Sequence, residues 1–541
     1  MELNLTMSGE GQAGQVVEAG GRPRAGGQRM VVAVLVVLAL AVGARVPFLV
    51  VGTEPSPDAA EYLDVARHIV RGDGLVLSIK SHLADDKPVV RSTIGNRSPI
   101  YPALVAAGMR LFPSANDLTV ARWVNLLLST LGCVLCLLLF VRVFGWVVGV
   151  LGGALVAVNP WLIVYGVGPL ADPLSFTVSV AALVLYAWNA REGAPPLWSL
   201  ADGALVGLGY LARPTGMVLL AVLAIGYMFG RRWRSLLWLM VGAAVVASPY
   251  LYANWRINGS PLYNAYSYNY AVAESREATW FGLDREPVGP LEFIQRNPRL
   301  VGKLMWARTR EDMAVVVSQL GFLLLLIPLL PVGWWRRERG VIAGYAVANL
   351  ACYCLSWAAV GAWRYLLASY LLPIPSLLEA AARPRWRLLR KAGPVLLAGA
   401  CMLALYSAYL QDKDRYQRHV RAAAARPAVA SLREKAAQWL LRETSRDEVV
   451  ASNNPWMVNY LTQRPAVICP EFSREGQVVP FLRGHQVSVI VLFVAGEDKR
   501  VQFLSSPRLA EAVRLVEQQE SGRWRLLVYR VEGALASAPQ P

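Results

Sequence analysis

Apolar runs recur along most of the chain, separated by polar stretches that are mostly short. The first run spans Met30 to Gly52. Others fall at about 118–141, 146–166, 173–190, 198–212, 216–230, 236–252, 313–333, 341–360, 366–382 and 393–410. A hydrocarbon core of about 30 Å takes roughly 20 residues of helix, so the pattern predicts about eleven transmembrane helices, 198–212 being the shortest. Two longer polar segments interrupt it, 53–117 and 254–312, and residues 412–541 leave it altogether. There Ser431–Thr444 has helical apolar spacing, while Glu448–Ala451, Val487–Val494 and Leu526–Val531 read as short strands. The expected architecture is mainly α: a polytopic membrane helical bundle over 30–411, then a small α/β domain over 412–541. Residues 1–29, Gly-rich and polar, read as a disordered tail.

Composition agrees: 55% hydrophobic residues against 17% charged place the chain among membrane proteins. A net charge of +17 raises a nucleic-acid role, and the placement of the charges answers it. With the N-terminus inside, Arg142, Arg191, Arg231–Arg234, Arg336–Arg339 and Arg383–Lys391 all fall in short cytoplasmic loops, as the positive-inside bias requires. Nucleic acid is then not needed as a partner. Met30–Gly52 lacks a small-x-small cleavage site before the polar segment, which favours an uncleaved span over a signal peptide. Arg45 near its outer end either snorkels to headgroups or faces a polar cavity. Cys133 and Cys136 have metal-motif spacing but no second pair or nearby His, and read as small core residues.

The same threading exposes 53–117, the Gly166–Pro173 turn, 254–312 and everything after Gln411 on the opposite, external face. The 254–312 loop carries Tyr263, Tyr266, Tyr268 and Tyr270, which suit an interfacial aromatic belt or a carbohydrate surface. Residues 412–541 show no nucleophile motif or metal spacing, and read as a support or acceptor-binding module. Few ionisable residues adjoin helix ends on that face. They are Asp58 after the first run, Asp172 in Leu170-Ala171-Asp172-Pro173, Arg213 in Ala212-Arg213-Pro214-Thr215-Gly216, and Arg364 before Tyr365. Carboxylates with arginines there suit an anionic lipid phosphate and a neutral nucleophile: guanidinium pairs two phosphate oxygens, and a carboxylate accepts a hydroxyl proton. Taken singly, Asp58 and Asp172 read equally as helix N-caps, and each arginine as a headgroup contact.

Together with Asp58-x-x-Glu61-Tyr62-Leu63, Arg97-Ser98-Pro99-Ile100-Tyr101-Pro102, Arg122 with Asn125, and Asn254-Trp255-Arg256-Ile257-Asn258-Gly259-Ser260-Pro261, these motifs follow a known order. The chain resembles the GT-C-type membrane glycosyltransferases, the group of protein O-mannosyltransferases, the lipid A aminoarabinose transferase and the lipopolysaccharide-core galacturonosyltransferases. The resemblance implies a GT-C fold and sugar transfer, with inversion, from a polyprenyl-phosphate donor to a protein, lipid or glycan hydroxyl outside the cytoplasm. A bacterial cytoplasmic (inner) membrane is the implied setting. It implies Asp58 and Asp172 as catalytic, supported by Glu61. Arg97 (or Ser98, one residue on), Arg213 and Arg364 are the implied phosphate ligands, with Tyr62, Tyr101 and Tyr365 near the substrate. Many members carry Asp-Glu where this chain has Asp58-Ala59. Glu61, three residues on, faces the same way, and no divalent metal or other cofactor is expected. The rival readings are a lipid or solute transporter and an inactive glycan-binding homologue. The apparent lack of an internal repeat, and of a carboxylate well inside a span, speaks against the transporter.

Overall fold

The computed structural model describes residues 24–51, 54–83, 87–190, 194–265, 290–330, 337–355, 364–424, 428–472 and 474–532. The expectations for residues 1–23, Arg191, Tyr266, Tyr268, Tyr270 and Arg336 lie outside them. Most apolar runs become helices with bounds close to those expected. In chain order the first ten are α1 (Arg24–Val50), α2 (Pro57–Arg71), α3 (Ile100–Leu111), α4 (Asp117–Phe144), α5 (Trp146–Ala157), α6 (Pro160–Val167), α7 (Asp172–Asn189), α8 (Trp198–Ala212), α9 (Gly216–Phe229) and α10 (Trp233–Asn258). Then follow α11 (Pro290–Arg296), α12 (Pro298–Leu320), α13 (Arg337–Leu355), α14 (Leu367–Leu371), α15 (Ile374–Ala382) and α16 (Gly393–Ala424).

Five helices among the described residues are long and apolar enough to cross a bilayer alone, and six if the pair α5–α6, bent by 53°, counts as one span. The eleven expected runs are therefore not eleven straight spanning helices. Asn159 caps α6 through its side chain and Pro160 occupies the first turn, so the 146–166 run breaks there. Three expected boundaries move. The helix of the first run starts at Arg24, inside the expected tail. The polar loop 254–312 is helical from Pro290, and Arg308 and Asp312 lie within α12. The last apolar run continues to Ala424 as one helix, so the boundary at 411/412 falls in mid-helix.

The basic turns cluster at one end of the bundle. Arg339 pairs with Glu379 at 2.9 Å and lies over the Phe144 ring. Arg337 donates to the Gly226 carbonyl at 3.1 Å and Arg232 to Ala194 O at 3.0 Å. Glu379 and Asp202 are buried carboxylates close to the ends of the runs 366–382 and 198–212. Asp202, fully buried in α8, accepts from Asn189 Nδ2 at 3.0 Å and the Tyr227 hydroxyl at 2.5 Å. Both acids have partners near this end, where they close the bundle. Arg45 follows neither expectation: it is fully buried, donating to Ser129 Oγ at 3.0 Å and to the carbonyls of Ala41 (2.8 Å) and Ala157 (3.0 Å). The carbonyl freed by the α5–α6 break thus receives a cation.

The C-terminal region forms α17 (Ala428–Glu443), β4 (Val449–Ser452), α18 (Pro455–Thr462), β5 (Ala466–Ile468), β6 (Val487–Ala495), β7 (Val513–Ser521) and β8 (Trp524–Val531). The expected helix and three strands are present, while β5 and β7 are additional. Strands β1 (Val76–Leu77), β2 (Ile79–Lys80) and β3 (Arg91–Ser92) come from the first polar segment. Strand β2 pairs in parallel with β5, so the six-stranded sheet runs β2-β5-β4-β6-β8-β7. The first polar segment therefore forms one edge of the C-terminal sheet. Asp64 accepts from Ser78 N (2.6 Å) and Oγ (2.7 Å), and Arg67 donates to the Tyr460 carbonyl at 3.1 Å. These bonds fix α2 to the sheet and to α18.

Candidate active site

Helix α2 begins with Ser56, whose Oγ accepts from Ala59 N at 3.3 Å, followed by Pro57. Ser56 therefore performs the capping role that the sequence left open for Asp58, and the Asp58 carboxylate is free to face outward in the first turn. At α7 the capping position is Ala171, which has no capping side chain, and Asp172 follows it in the first turn. Each acid still sits where the helix dipole favours negative charge.

The two carboxylates share a guanidinium. Asp58 Oδ1 accepts from Arg97 Nη2 at 2.8 Å, and its Oδ2 accepts from Arg364 Nη2. Arg364 Nε lies 3.9 Å from Asp172 Oδ2, and Arg213 Nη2 lies 2.9 Å from Asp172 Oδ1. Five residues from widely separated parts of the chain thus meet in one network. Neither Asp172 oxygen receives a well-aligned hydrogen bond among the described residues, although the residue is only 3% exposed. Its ion pairs with Arg213 and Arg364 are held by proximity. Burial raises the Asp58 carboxyl, but Arg97 and Arg364 outweigh burial and hold it well below the usual carboxylate range.

Glu61, the other acid singled out on α2, grips the same arginine: Arg97 Nε donates to its Oε2 at 2.6 Å. Arg97 thus bridges the Asp58 and Glu61 carboxylates. The turn carrying it is held by the Asn254–Pro261 motif. Asn258 Nδ2 donates to the Ile94 carbonyl at 3.1 Å, and the Tyr250 hydroxyl accepts from Gly95 N at 3.0 Å. Gly95 has φ +84°, and a Cβ there would lie 2.6 Å from the Tyr263 ring, so glycine meets both demands. Asn125 plays the matching part for Asp172, donating to the Leu170 carbonyl at 3.0 Å.

The structure separates the three tyrosines. Tyr365 lines the site, its ring 4.1 Å from the Arg213 guanidinium carbon and 4.9 Å from that of Arg364. Tyr62 and Tyr101 pack edge to face in the core at 5.0 Å, Tyr101 being fully buried. Arg97 rests over Tyr62, so this pair supports the network from below and does not line the cleft. The cleft, half open to solvent, has about 330 Å³ of empty volume, solvent outside it included, and is bordered by Asp172, Arg213, Arg364 and Tyr365. Asn349 and Tyr353 on α13, and Ser175 on α7, complete its wall; none was singled out from the sequence, since polar residues inside apolar runs give no distinct signal. Trp456 was missed as well. Its indole Nε1 donates to Glu61 Oε1 at 2.9 Å, so the C-terminal region contacts the network directly. No group of three His, Cys, Asp or Glu side chains suited to a metal occurs among the described residues.

The chain has the fold of the GT-C membrane glycosyltransferases. Residues 96–253 match the model of the dolichyl-phosphate-mannose-protein mannosyltransferase family. Among solved structures, the chain is similar to ArnT from Cupriavidus metallidurans bound to undecaprenyl phosphate. The identity is 14%, covering 96% of this chain and 100% of that one, with a TM-score of 0.59. It is similar also to the oligosaccharyltransferase of Archaeoglobus fulgidus in the apo form (13% identity, 85% and 69% coverage, TM-score 0.55). A third similar structure is AglB from the same organism with an inhibitory peptide and a dolichol-phosphate (13%, 86% and 69%, TM-score 0.53). A sequence search of curated proteins gives no significant match.

Proposed function

We propose that the protein is an inverting glycosyltransferase that moves a sugar from a polyprenyl-phosphate donor to a hydroxyl outside the cytoplasm. The observation that carries this reading is the guanidinium of Arg364 held between Asp58 and Asp172 beside an open cleft. Arg213 and Arg364 receive the phosphate, because both flank the cleft and neither is fixed by a pair of aligned hydrogen bonds to Asp172. The acceptor oxygen bonds to the anomeric carbon as the carbon–oxygen bond to phosphate breaks. The bonding pair leaves with the phosphate, and Asp58 takes the hydroxyl proton. Moving Arg364 toward the phosphate removes one cation from Asp58 and makes it more basic when a donor is present. Asp172 orients the two phosphate-binding arginines. Tight binding of charge developing on the leaving phosphate lowers the barrier differentially. The proposed setting is a bacterial cytoplasmic membrane, with the N-terminus cytoplasmic and the cleft and C-terminal domain outside. Loss of polyprenyl phosphate release from a sugar-loaded donor on purification of an Asp58→Asn variant tests the reading.

Two further outcomes follow from the network. With Asp58 held ionised by its arginines, the acid limb of kcat/KM should lie below the range of an ordinary aspartate near 3.9. In Arg97→Gln one lowering cation is gone, so the limb should move to higher pH; pH profiles of the two proteins check the sign. The same pairing stabilises the fold above the unfolded-state pKa and is lost as pH falls through the folded one. Trp456→Phe removes a hydrogen bond to a charged acceptor, worth about 1.5–3 kcal/mol. It should lower kcat about tenfold while leaving donor KM unchanged, since Glu61 reaches the reaction through Arg97 and Asp58. A fall in thermal stability with no change in kcat would make Trp456 a packing residue only.

A further inference from the structure

Five cations crowd the connector between α15 and α16, far from the cleft in sequence: Arg383, Arg385, Arg387, Arg390 and Lys391. No acidic residue occurs between Glu379 and Asp412. All five side chains are exposed, and among the described residues none makes an ion pair or a side-chain hydrogen bond. Other arginines at this end behave differently. Arg339, Arg337 and Arg232 turn inward to Glu379, the Gly226 carbonyl and the Ala194 carbonyl. A bias of positive charge toward one side of the membrane is met by either kind of arginine. Only the outward kind leaves its donors open to a ligand.

Residues Arg387–Ala392 form a 3₁₀ turn. With three residues per turn, positions i and i+3 share a face. Leu389 and Ala392, both half-buried, make the inner face. Arg387 and Arg390 share a second face, and Leu388 and Lys391 the third. Leu388 is 93% exposed, and Trp386 just before the turn is 50% exposed. A leucine standing out beside a lysine suits the boundary between headgroups and acyl chains, where the lysine stem lies along the apolar phase. The backbone that carries these groups is fixed at both ends. Arg385 N donates to the Leu329 carbonyl at 2.9 Å, and a Cβ on Gly393 would lie 2.4 Å from the Ala382 carbonyl oxygen.

We propose that this connector is a binding site for an anionic glycerophospholipid. Arg387 and Arg390 hold the headgroup phosphate, Arg383, Arg385 and Lys391 add attraction, and Leu388 and Trp386 enter the acyl boundary. The inference is independent of the transferase reading. A zwitterionic headgroup offers the same phosphate but brings its own cation toward five unopposed charges. Free phosphate lacks the acyl chains that Leu388 and Trp386 would meet.

The test equilibrates the full-length protein, in neutral detergent, with equal amounts of phosphatidylglycerol and phosphatidylcholine of matched chains. Retained lipid is counted by native mass spectrometry. Phosphatidylglycerol should be retained about fivefold or more over phosphatidylcholine. Arg387→Gln combined with Arg390→Gln should lower apparent phosphatidylglycerol affinity about tenfold and leave that of phosphatidylcholine unchanged. Both side chains are exposed, so the melting temperature without lipid should not move. Equal retention of the two lipids, or unchanged phosphatidylglycerol affinity in the double variant, overturns the proposal. So does an equal loss in Arg231→Gln combined with Arg234→Gln, exposed cations on another basic turn, because charge in general would then account for the binding. Displacement of the lipid by millimolar inorganic phosphate would make this a free-anion site and overturns the lipid assignment.

Discussion

Asp58→Asn should lower sugar transfer by about 10³-fold or more, equivalent to roughly 4 kcal/mol of transition-state stabilisation, while the protein inserts and accumulates normally. Asparagine keeps the shape of the side chain and can still accept from one arginine. It cannot take a hydroxyl proton or oppose positive charge on the sugar ring. Donor affinity should change little, because the proposed phosphate ligands are Arg213 and Arg364. The loss therefore belongs in kcat, read as release of polyprenyl phosphate under saturating donor. Asp172→Asn offers the contrast. It frees two guanidiniums that the acid now orients, so its effect should fall mainly on donor KM. A transporter would have no reason to lose sugar transfer in one variant and donor affinity in the other, and an inactive homologue would show neither change. Full transfer activity in Asp58→Asn would remove the catalytic role.

Most of the bundle was legible because apolar runs and basic loops obey rules that act along the chain. Residues such as Arg339 and Glu379 confirm which turns share an end, by touching one another. What the runs could not give was breaks and continuations. Asn159-Pro160 splits one run, and the polar ends of α12 and α16 continue helices that hydropathy alone cuts short. Asp58, Asp172, Arg213 and Arg364 were readable as charges at helix ends, and Arg97 from the motif it opens, yet which acid meets which arginine was not. Arg97 has the right charge and place for a phosphate ligand, and only coordinates show its two carboxylate partners. Tyr62 and Tyr101 beside the motif residues looked like substrate contacts and are core, since aromatic residues serve both ends equally in a sequence. The pairing of β2 with β5 joins residues nearly four hundred positions apart, and strands of two or three residues leave no alternation to read. Trp456 was hidden for the same reason. Its contact with Glu61 exists only because that pairing brings α18 over α2.

Arg364→Ala should cost about 100-fold in donor affinity, measured by competition with labelled undecaprenyl phosphate, and should raise KM more than it lowers kcat. Arg364 is the only described residue that ion-pairs with both Asp58 and Asp172, and burying either acid without its partner is costly. Removing it subtracts one positive charge from the cleft, leaving Arg213 alone beside Asp172. At the same time Asp58 loses a cation that depresses its pKa and becomes the stronger base. Those effects oppose each other in kcat and act only in the unfavourable direction on binding, which is why the two constants should separate. Arg364→Lys sharpens the point. It restores the charge but not the planar fork that reaches two partners at once, so it should recover part of the donor affinity and not all of it. Donor competition unaltered in Arg364→Ala would mean that the arginine only neutralises the two acids, and the phosphate would then have to be sought at Arg213 alone.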